Sequence, residues 1–272
     1  MKKKADWGER LAFFWIAFLA VTAVAAPLFL KSSSEAMNFG YVLEAPSWAH
    51  LLGTDSLGRD LLSRLLVGGS VSLGVSLIAV LLALVIGTWL GALAGYYGGF
   101  WEKGIMGLVD VLLCFPVFFL ILAVIAVLGP SILNVMIILG LTGWMGIARL
   151  ARAEILSLKE REYVLAARVL GAGDFRIIFR HLLPNAMGPV IVNAVLGVSA
   201  AILTETALSF LGIGVQPPVP SWGNILTDSK ATLGVAWWLT LFPGLMIFLT
   251  VLSFNSMAES FLDRLGGVKG RQ

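Results

Sequence analysis

Few side chains in this sequence could do chemistry, and most of them sit in apolar surroundings. Glu205 and Asp110 are the two acidic residues inside long apolar runs. An ionisable group there marks a solute pathway by default, or a polar bond between helices. For Glu205 both readings stand; Asp110, close to the end of its run, reads as structural. Asp55, Arg59, Asp60 and Arg64 alternate in sign within one short segment. They fit a polar gate or partner contact, or equally a network whose members satisfy one another. His50 and His181 each stand alone, and no cluster of His, Cys, Asp or Glu has catalytic or metal-ligand spacing. Neither catalytic nor metal residues are therefore expected. The single cysteine, Cys114, excludes an intramolecular disulfide and reads as a small core residue. A glycine-rich loop ending in Lys-Ser/Thr is missing, so any ATP hydrolysis would belong to another chain.

The elements that must position these groups follow from composition. Of 272 residues, 58% are hydrophobic and 13% charged, with a mean hydropathy of +0.92. Soluble domains carry about 25% charged residues. The apolar residues gather in runs rather than stripes, which is how lipid-spanning helices read. Six runs qualify: Leu11–Leu30, Ser72–Gly95, Ile105–Gly129, Ser131–Ala148, Gly188–Gly212 and Trp237–Ala258. The first follows Lys2-Lys3-Lys4 but exceeds a signal-peptide core of about 7–15 residues, so it reads as a retained span. Gly129-Pro130 makes the third and fourth a hairpin. With six spans, fifteen Lys and Arg fall on one side and four (Lys31, Arg59, Arg64, Lys230) on the other. The positive-inside bias then puts both termini in the cytoplasm and accounts for the net charge of +3 without nucleic acid.

The expected organisation is an all-α membrane protein. Residues 1–10 form a cytoplasmic N-terminus, 11–30 the first span, 31–71 an extracytoplasmic segment and 72–258 a five-helix core. That core contains a cytoplasmic loop at 149–187 and an outer loop at 213–236; 259–272 is a cytoplasmic tail. Within the outer loop, Gln216-Pro217-Pro218-Val219-Pro220-Ser221-Trp222-Gly223 reads as a stiff turn ending in an interfacial aromatic. Pro116 and Pro243 predict kinks in their spans. Gly87, Gly91 and Gly95 recur every four residues, a stripe that lets helix backbones approach; packing within the subunit and subunit dimerisation both fit it.

The 149–187 loop carries the most information. Its pattern predicts a helix from Arg149 to about Leu170, broken at Gly171-Ala172-Gly173. Asp174 is expected to cap a second helix with Phe175, Ile178, Phe179 and Leu182 on one apolar face, ended by Pro184. Val164, Ala167 and Gly171 fall on a shared face with Ala166 beside them. Small residues at that spacing make a smooth knuckle that suits docking by another protein.

Arg161-Glu162-Tyr163-Val164-Leu165-Ala166-Ala167-Arg168-Val169-Leu170-Gly171-Ala172, followed by Phe179-Arg180-His181-Leu182-Leu183-Pro184-Asn185, resembles the coupling loop of binding-protein-dependent ABC importer permeases. The family pattern is E-A-A, three residues, Gly, nine residues, I-x-L-P. Ala166, Ala167, Gly171, Leu183 and Pro184 match it, while Leu165 replaces the Glu and His181 the Ile. Gly53-Thr54-Asp55-Ser56-Leu57-Gly58-Arg59-Asp60-Leu61-Leu62-Ser63-Arg64-Leu65 and Glu205-Thr206-Ala207-Leu208-Ser209-Phe210-Leu211-Gly212-Ile213-Gly214 resemble the dipeptide/oligopeptide/nickel subfamily, in particular its second, shorter permease subunit. The resemblance implies a multi-pass prokaryotic inner-membrane subunit forming half of a transmembrane pathway for di- or oligopeptides or a related solute, such as a nickel chelate. It implies a homologous second permease, two ATPase subunits that use ATP and Mg, an extracytoplasmic solute-binding protein, and no cofactor on this chain. Val164, Ala166, Ala167, Arg168 and Gly171 would then couple to the ATPase; Glu205, Asp55, Arg59 and Asp60 remain pathway or gate candidates. The alternative, a self-sufficient secondary transporter, predicts internal repeats and midplane charges, and leaves the coupling loop unexplained.

Overall fold

A computed structural model describes residues 7–269, with side chains to 264. The Lys2–Lys4 run and the end of the C-terminal tail lie outside the described residues. Within them the chain is all-α: the sole extended pairing is one bridge between Thr54 and Asp60.

In chain order the helices are α1 (Trp7–Phe29), α2 (Lys31–Glu35), α3 (Leu61–Tyr97), α4 (Gly99–Leu113), α5 (Val117–Leu128), α6 (Ile132–Leu158), α7 (Glu162–Val169), α8 (Asp174–Arg176), α9 (Leu183–Phe210), α10 (Trp222–Asp228) and α11 (Trp238–Lys269). A π-helical segment, Ile177–Leu182, joins α8 to α9. Five helical stretches are long and apolar enough to cross a membrane, and α4 with α5 makes a sixth if the two count as one span.

That pair is the main departure from the expected spans. In place of one crossing over Ile105–Gly129, the chain turns by 86° between Leu113 and Val117. Pro116 has no N–H to give, and Phe115 before it is driven from the α region; a break replaces a kink. Cys114 lies at this break and is exposed, not a core residue. Pro243, by contrast, sits within an unbroken α11. α3 is longer than expected, its 37 residues including Arg64. Asp60 starts it, its carboxylate accepting the Ser63 N–H at 2.9 Å and hydroxyl at 2.7 Å, an N-terminal cap.

The helices contribute to two compact units. In the first, drawn from Met1–Ile78, Leu122–Met136 and Val198–Met257, the anchor is Trp222. Expected at an interface, it is instead fully buried, and its indole N–H donates to the Leu65 carbonyl at 3.0 Å. Gly69 makes room: a Cβ there would stand 3.0 Å from the Trp222 ring. Trp15 of α1 donates to Thr250 of α11 at 3.2 Å.

The second unit is drawn from Ala79–Ile121, Ile137–Gly197 and Ala258–Gln272. Here Gly87, Gly91 and Gly95 of α3 lie against α6. A Cβ on them would stand 2.7 Å from Ile147 Cβ, 2.4 Å from the Ala148 carbonyl oxygen and 2.9 Å from Ile155 Cβ, respectively. Two apolar clusters complete the unit, one around Trp144, Met145 and Val109, the other around Ala92, Ile155, Val164, Ile177 and Leu182.

Candidate functional site

The 149–187 loop is built from shorter pieces than its sequence pattern predicts. The helix expected from Arg149 to Leu170 is interrupted: α6 stops at Leu158 and α7 starts at Glu162, with Arg161 extended between them. Glu162 in the first turn of α7 and Arg168 in its last match the helix dipole. The break at Gly171 is present. Gly171 has φ +82°; its N–H reaches the Arg168 carbonyl and the Ala172 N–H the Ala167 carbonyl, both at 3.0 Å. This is a Schellman closure, which requires a left-handed residue after the helix.

Val164 does not share the exposed knuckle. It is fully buried among Ala92, Ile155, Ile177, Leu182 and Ala186. Val164 and Ala167, three apart within α7, do share a face, but that face turns inward, and Gly171 lies past the helix end with a left-handed backbone, outside the helical count. Ala166, Arg168 and Gly171 are exposed and Ala167 half-buried. Val169 and Leu170, which the small-residue pattern did not single out, are 87% and 86% exposed. They leave two neighbouring aliphatic side chains uncovered beside the glycine turn.

Beyond the turn, the cap of α8 is Gly173, not Asp174. The Asp174 carboxylate instead accepts the Tyr96 hydroxyl at 2.6 Å. Nor does Pro184 end the helix. The chain widens into the π segment Ile177–Leu182 and runs on through α9; the wider turn relieves the clash that Pro imposes on the preceding turn. Widening also moves the buried face to Ile177, Ile178 and Leu182, leaving Phe175 exposed but stacked on Phe179 at 4.2 Å.

Near the other end of α3, three of the four alternating charges are buried: Asp55, Arg59 and Arg64 are 1%, 5% and 3% exposed. They form one network with a residue the sequence reading missed. Arg59 Nε lies 2.7 Å and Arg64 Nε 3.3 Å from Asp55, and both guanidiniums reach Asp228 of α10 at 3.2 Å. Burial pushes the Asp228 carboxyl up, and Arg64 and Arg59 pull it partway back. Asp60 stands apart from the network, facing His50 Nδ1 at 3.2 Å.

Glu205 is fully buried in a nest of hydroxyls. Ser72 of α3 donates to it at 3.0 Å and Ser209 at 2.7 Å. The same serines accept the backbone N–H groups of Trp222, at 3.2 Å, and Val215, at 2.9 Å. One carboxylate thus ties α3, α9, the proline-rich turn and the start of α10. Asp110 is exposed and pairs with Arg149, as Glu102 pairs with Arg152. Among the described residues, no group of three or more His, Cys, Asp or Glu could hold a metal.

Five helices long and apolar enough to cross a membrane, with the bent pair α4–α5 as a sixth, give the chain the build of a multi-pass membrane protein. Residues 87–266 match the family described as binding-protein-dependent transport system inner membrane component, and the chain belongs to that family. It is the inner-membrane permease of a solute importer, not a catalytic enzyme. It is 43% identical over 243 residues, 89% of this chain and 80% of the relative, to the dipeptide transport system permease protein DppC of Alkalihalophilus pseudofirmus. It is 39% identical over 278 residues, 96% of this chain and 91% of the relative, to the glutathione transport system permease protein GsiD of Pectobacterium atrosepticum. A solved structure titled as inward-facing conformations of the MetNI methionine ABC transporter shares the fold, with a TM-score of 0.54 at 15% identity over 71% of this chain and 94% of that one.

Proposed function

We propose that this chain is one half of the membrane pathway of an ATP-driven importer of short peptides. A homologous permease supplies the other half, two ATPase subunits supply the energy, one of them docking on α7, and a solute-binding protein delivers cargo from outside. The peptide class rests on relatives named for dipeptide and glutathione transport. Both termini are assigned to the cytoplasm by the charge bias.

The observation that carries this reading is the exposed ridge Ala166, Val169, Leu170 and Gly171, held rigid by the Schellman closure and by the buried Val164. Such a ridge fits an apolar groove, where an added charge loses its solvation. Leu170→Glu should therefore lower the amount of ATPase that co-purifies by about half or more while the sister permease stays bound; Lys103→Glu, at an exposed position of α4, should not. Gly171→Asn, which tolerates a left-handed backbone, should keep more coupling than Gly171→Ala. Full retention of the ATPases by Leu170→Glu would mean that they dock elsewhere. Uptake of a labelled dipeptide by the purified chain alone, without ATP, would favour a secondary transporter.

A further inference from the structure

One aromatic side chain holds both ends of the glycine turn. Arg168 stands three residues before Gly171 and Asp174 three residues after it. The Arg168 guanidinium lies over the Tyr96 ring, 6.0 Å from its centroid, and the Asp174 carboxylate accepts the Tyr96 hydroxyl at 2.6 Å. Tyr96 is the penultimate residue of α3. Its neighbourhood adds two further ties to the same loop: Lys159 Nζ reaches the Gly95 carbonyl at 3.3 Å, and Trp89 meets Phe179 edge-on at 5.1 Å.

From this geometry we infer that Tyr96 is a positioning residue that links the docking turn to α3, so that displacement of the turn is passed to the membrane-spanning helix. The inference rests on the docking role proposed for α7 and adds the route by which that docking does work. A rigid turn whose two sides were free of α3 could bind an ATPase and still swing without moving the span. Face and hydroxyl of one ring remove that freedom, because a cation over the face restrains one side and a charge-assisted hydrogen bond restrains the other. Arg168 thereby takes a different part from the one its sequence position implies: it holds the turn from within rather than meeting the ATPase. The neighbouring Tyr97 packs edge-on against Tyr96 at 5.0 Å and fixes the ring's plane.

The test is made on the whole transporter reconstituted in proteoliposomes, with its ATPases and binding protein, reading solute taken up per ATP hydrolysed. Tyr96→Phe keeps the ring and its contact with Arg168 but loses the bond to Asp174. It should leave ATPase co-purification at the wild-type level and lower uptake per ATP about tenfold, the factor that one hydrogen bond to a charged group is worth. Asp174→Asn retains a neutral oxygen acceptor and should lose only about threefold, a neutral bond being worth about half a charge-assisted one, whereas Asp174→Ala should match Tyr96→Phe. An unchanged ratio in Tyr96→Phe overturns the linkage. Equal loss in Asp174→Asn and Asp174→Ala does so as well, since it would trace the defect to charge rather than to the bond. Loss of ATPase binding in Leu170→Glu alongside an unchanged ratio in Tyr96→Phe would leave the docking helix standing without this route. Fully retained ATPase binding in Leu170→Glu would instead remove the docking site itself.

Discussion

Glu205 and Ser72 are 133 positions apart in sequence and 3.0 Å apart in space, both fully buried. The Ser72 hydroxyl donates a hydrogen bond to the carboxylate and accepts one from the N–H of Trp222. Through this serine, α3, α9 and α10 share a single polar node in an apolar interior. Glu205→Ala would strand the hydroxyls of Ser72 and Ser209, at about 1–3 kcal/mol for each group left unsatisfied. Glu205→Gln keeps one acceptor and the side-chain shape. Expected is a large drop in melting temperature in detergent for Ala and a small one for Gln, with transport lost in proportion to folded protein. Gln with wild-type melting temperature and no uptake would return Glu205 to the pathway.

Asp55, Arg59, Arg64 and Asp228 make a quartet of two cations and two anions, three of them buried and Asp228 half-buried. The Nε and Nη1 atoms of Arg64 lack a hydrogen-bond partner, so its guanidinium depends on charge pairing with Asp55 and Asp228. Removing one partner of a buried pair costs about 3–5 kcal/mol. Asp228 is 30% exposed, which puts Asp228→Ala at the lower end, about 3 kcal/mol. Adding Arg64→Met should restore part of that loss, because the uncompensated cation goes with it. Strict additivity of the two losses in thermal melts would show that Arg64 and Asp228 do not interact.

The glycines of α3 provide an internal control. A Cβ at Gly91 would come 2.4 Å from the Ala148 carbonyl oxygen and 2.7 Å from Ala151 Cβ, whereas one at Gly74 meets nothing within 4 Å. Gly91→Ala must push α6 away and should destabilise by about 1–3 kcal/mol. Gly74→Ala gains helix propensity, about 0.5–1 kcal/mol in the opposite direction. Thermal melts of the two variants should therefore move to opposite sides of wild type, and movement in the same direction would mean that α3 does not pack on α6 through this stripe.

Orientation is open to labelling. Trp48 is 98% and Val169 87% exposed, so a cysteine at either is reachable, whereas one at fully buried Ser221 is not. In a Cys114→Ala background, Trp48→Cys should react with an impermeant maleimide in intact cells and Val169→Cys only after permeabilisation. The reverse pattern would invert the assigned topology.

The apolar runs and the glycine turn were legible in the sequence because each depends on residues close together. Hydropathy over about twenty residues announces a span, and a small-residue helix ending in glycine announces its own closure. What escaped depends on distant partners or on phase. Nothing near Arg59 or Arg64 points to Asp228, 169 and 164 positions away, and an acidic residue at the end of a short helix looks like any other. Val164 was placed on the docking surface because spacing shows which residues share a face, not that Ile155, Ile177 and Leu182 cover it. Trp222 passed for an interfacial residue because sequence does not reveal that Gly69 opens a seat for its ring and Gly68 admits the Ser221 backbone beside it. Asp174 passed for a cap because its true partner, Tyr96, lies 78 positions earlier.

The π segment at Ile177–Leu182 has a geometric corollary. A helix advances about 100° per residue, and a π turn holds one residue more than the α turn it replaces. Ile177 and Leu182, five apart, both point inward because of that surplus. The segment is therefore an angular offset written into the chain, setting the azimuth of everything before Ile177 against everything after Leu182. Removing one residue there would allow an ordinary helix through to α9, at the cost of turning Asp174 about a quarter of a revolution away from Tyr96.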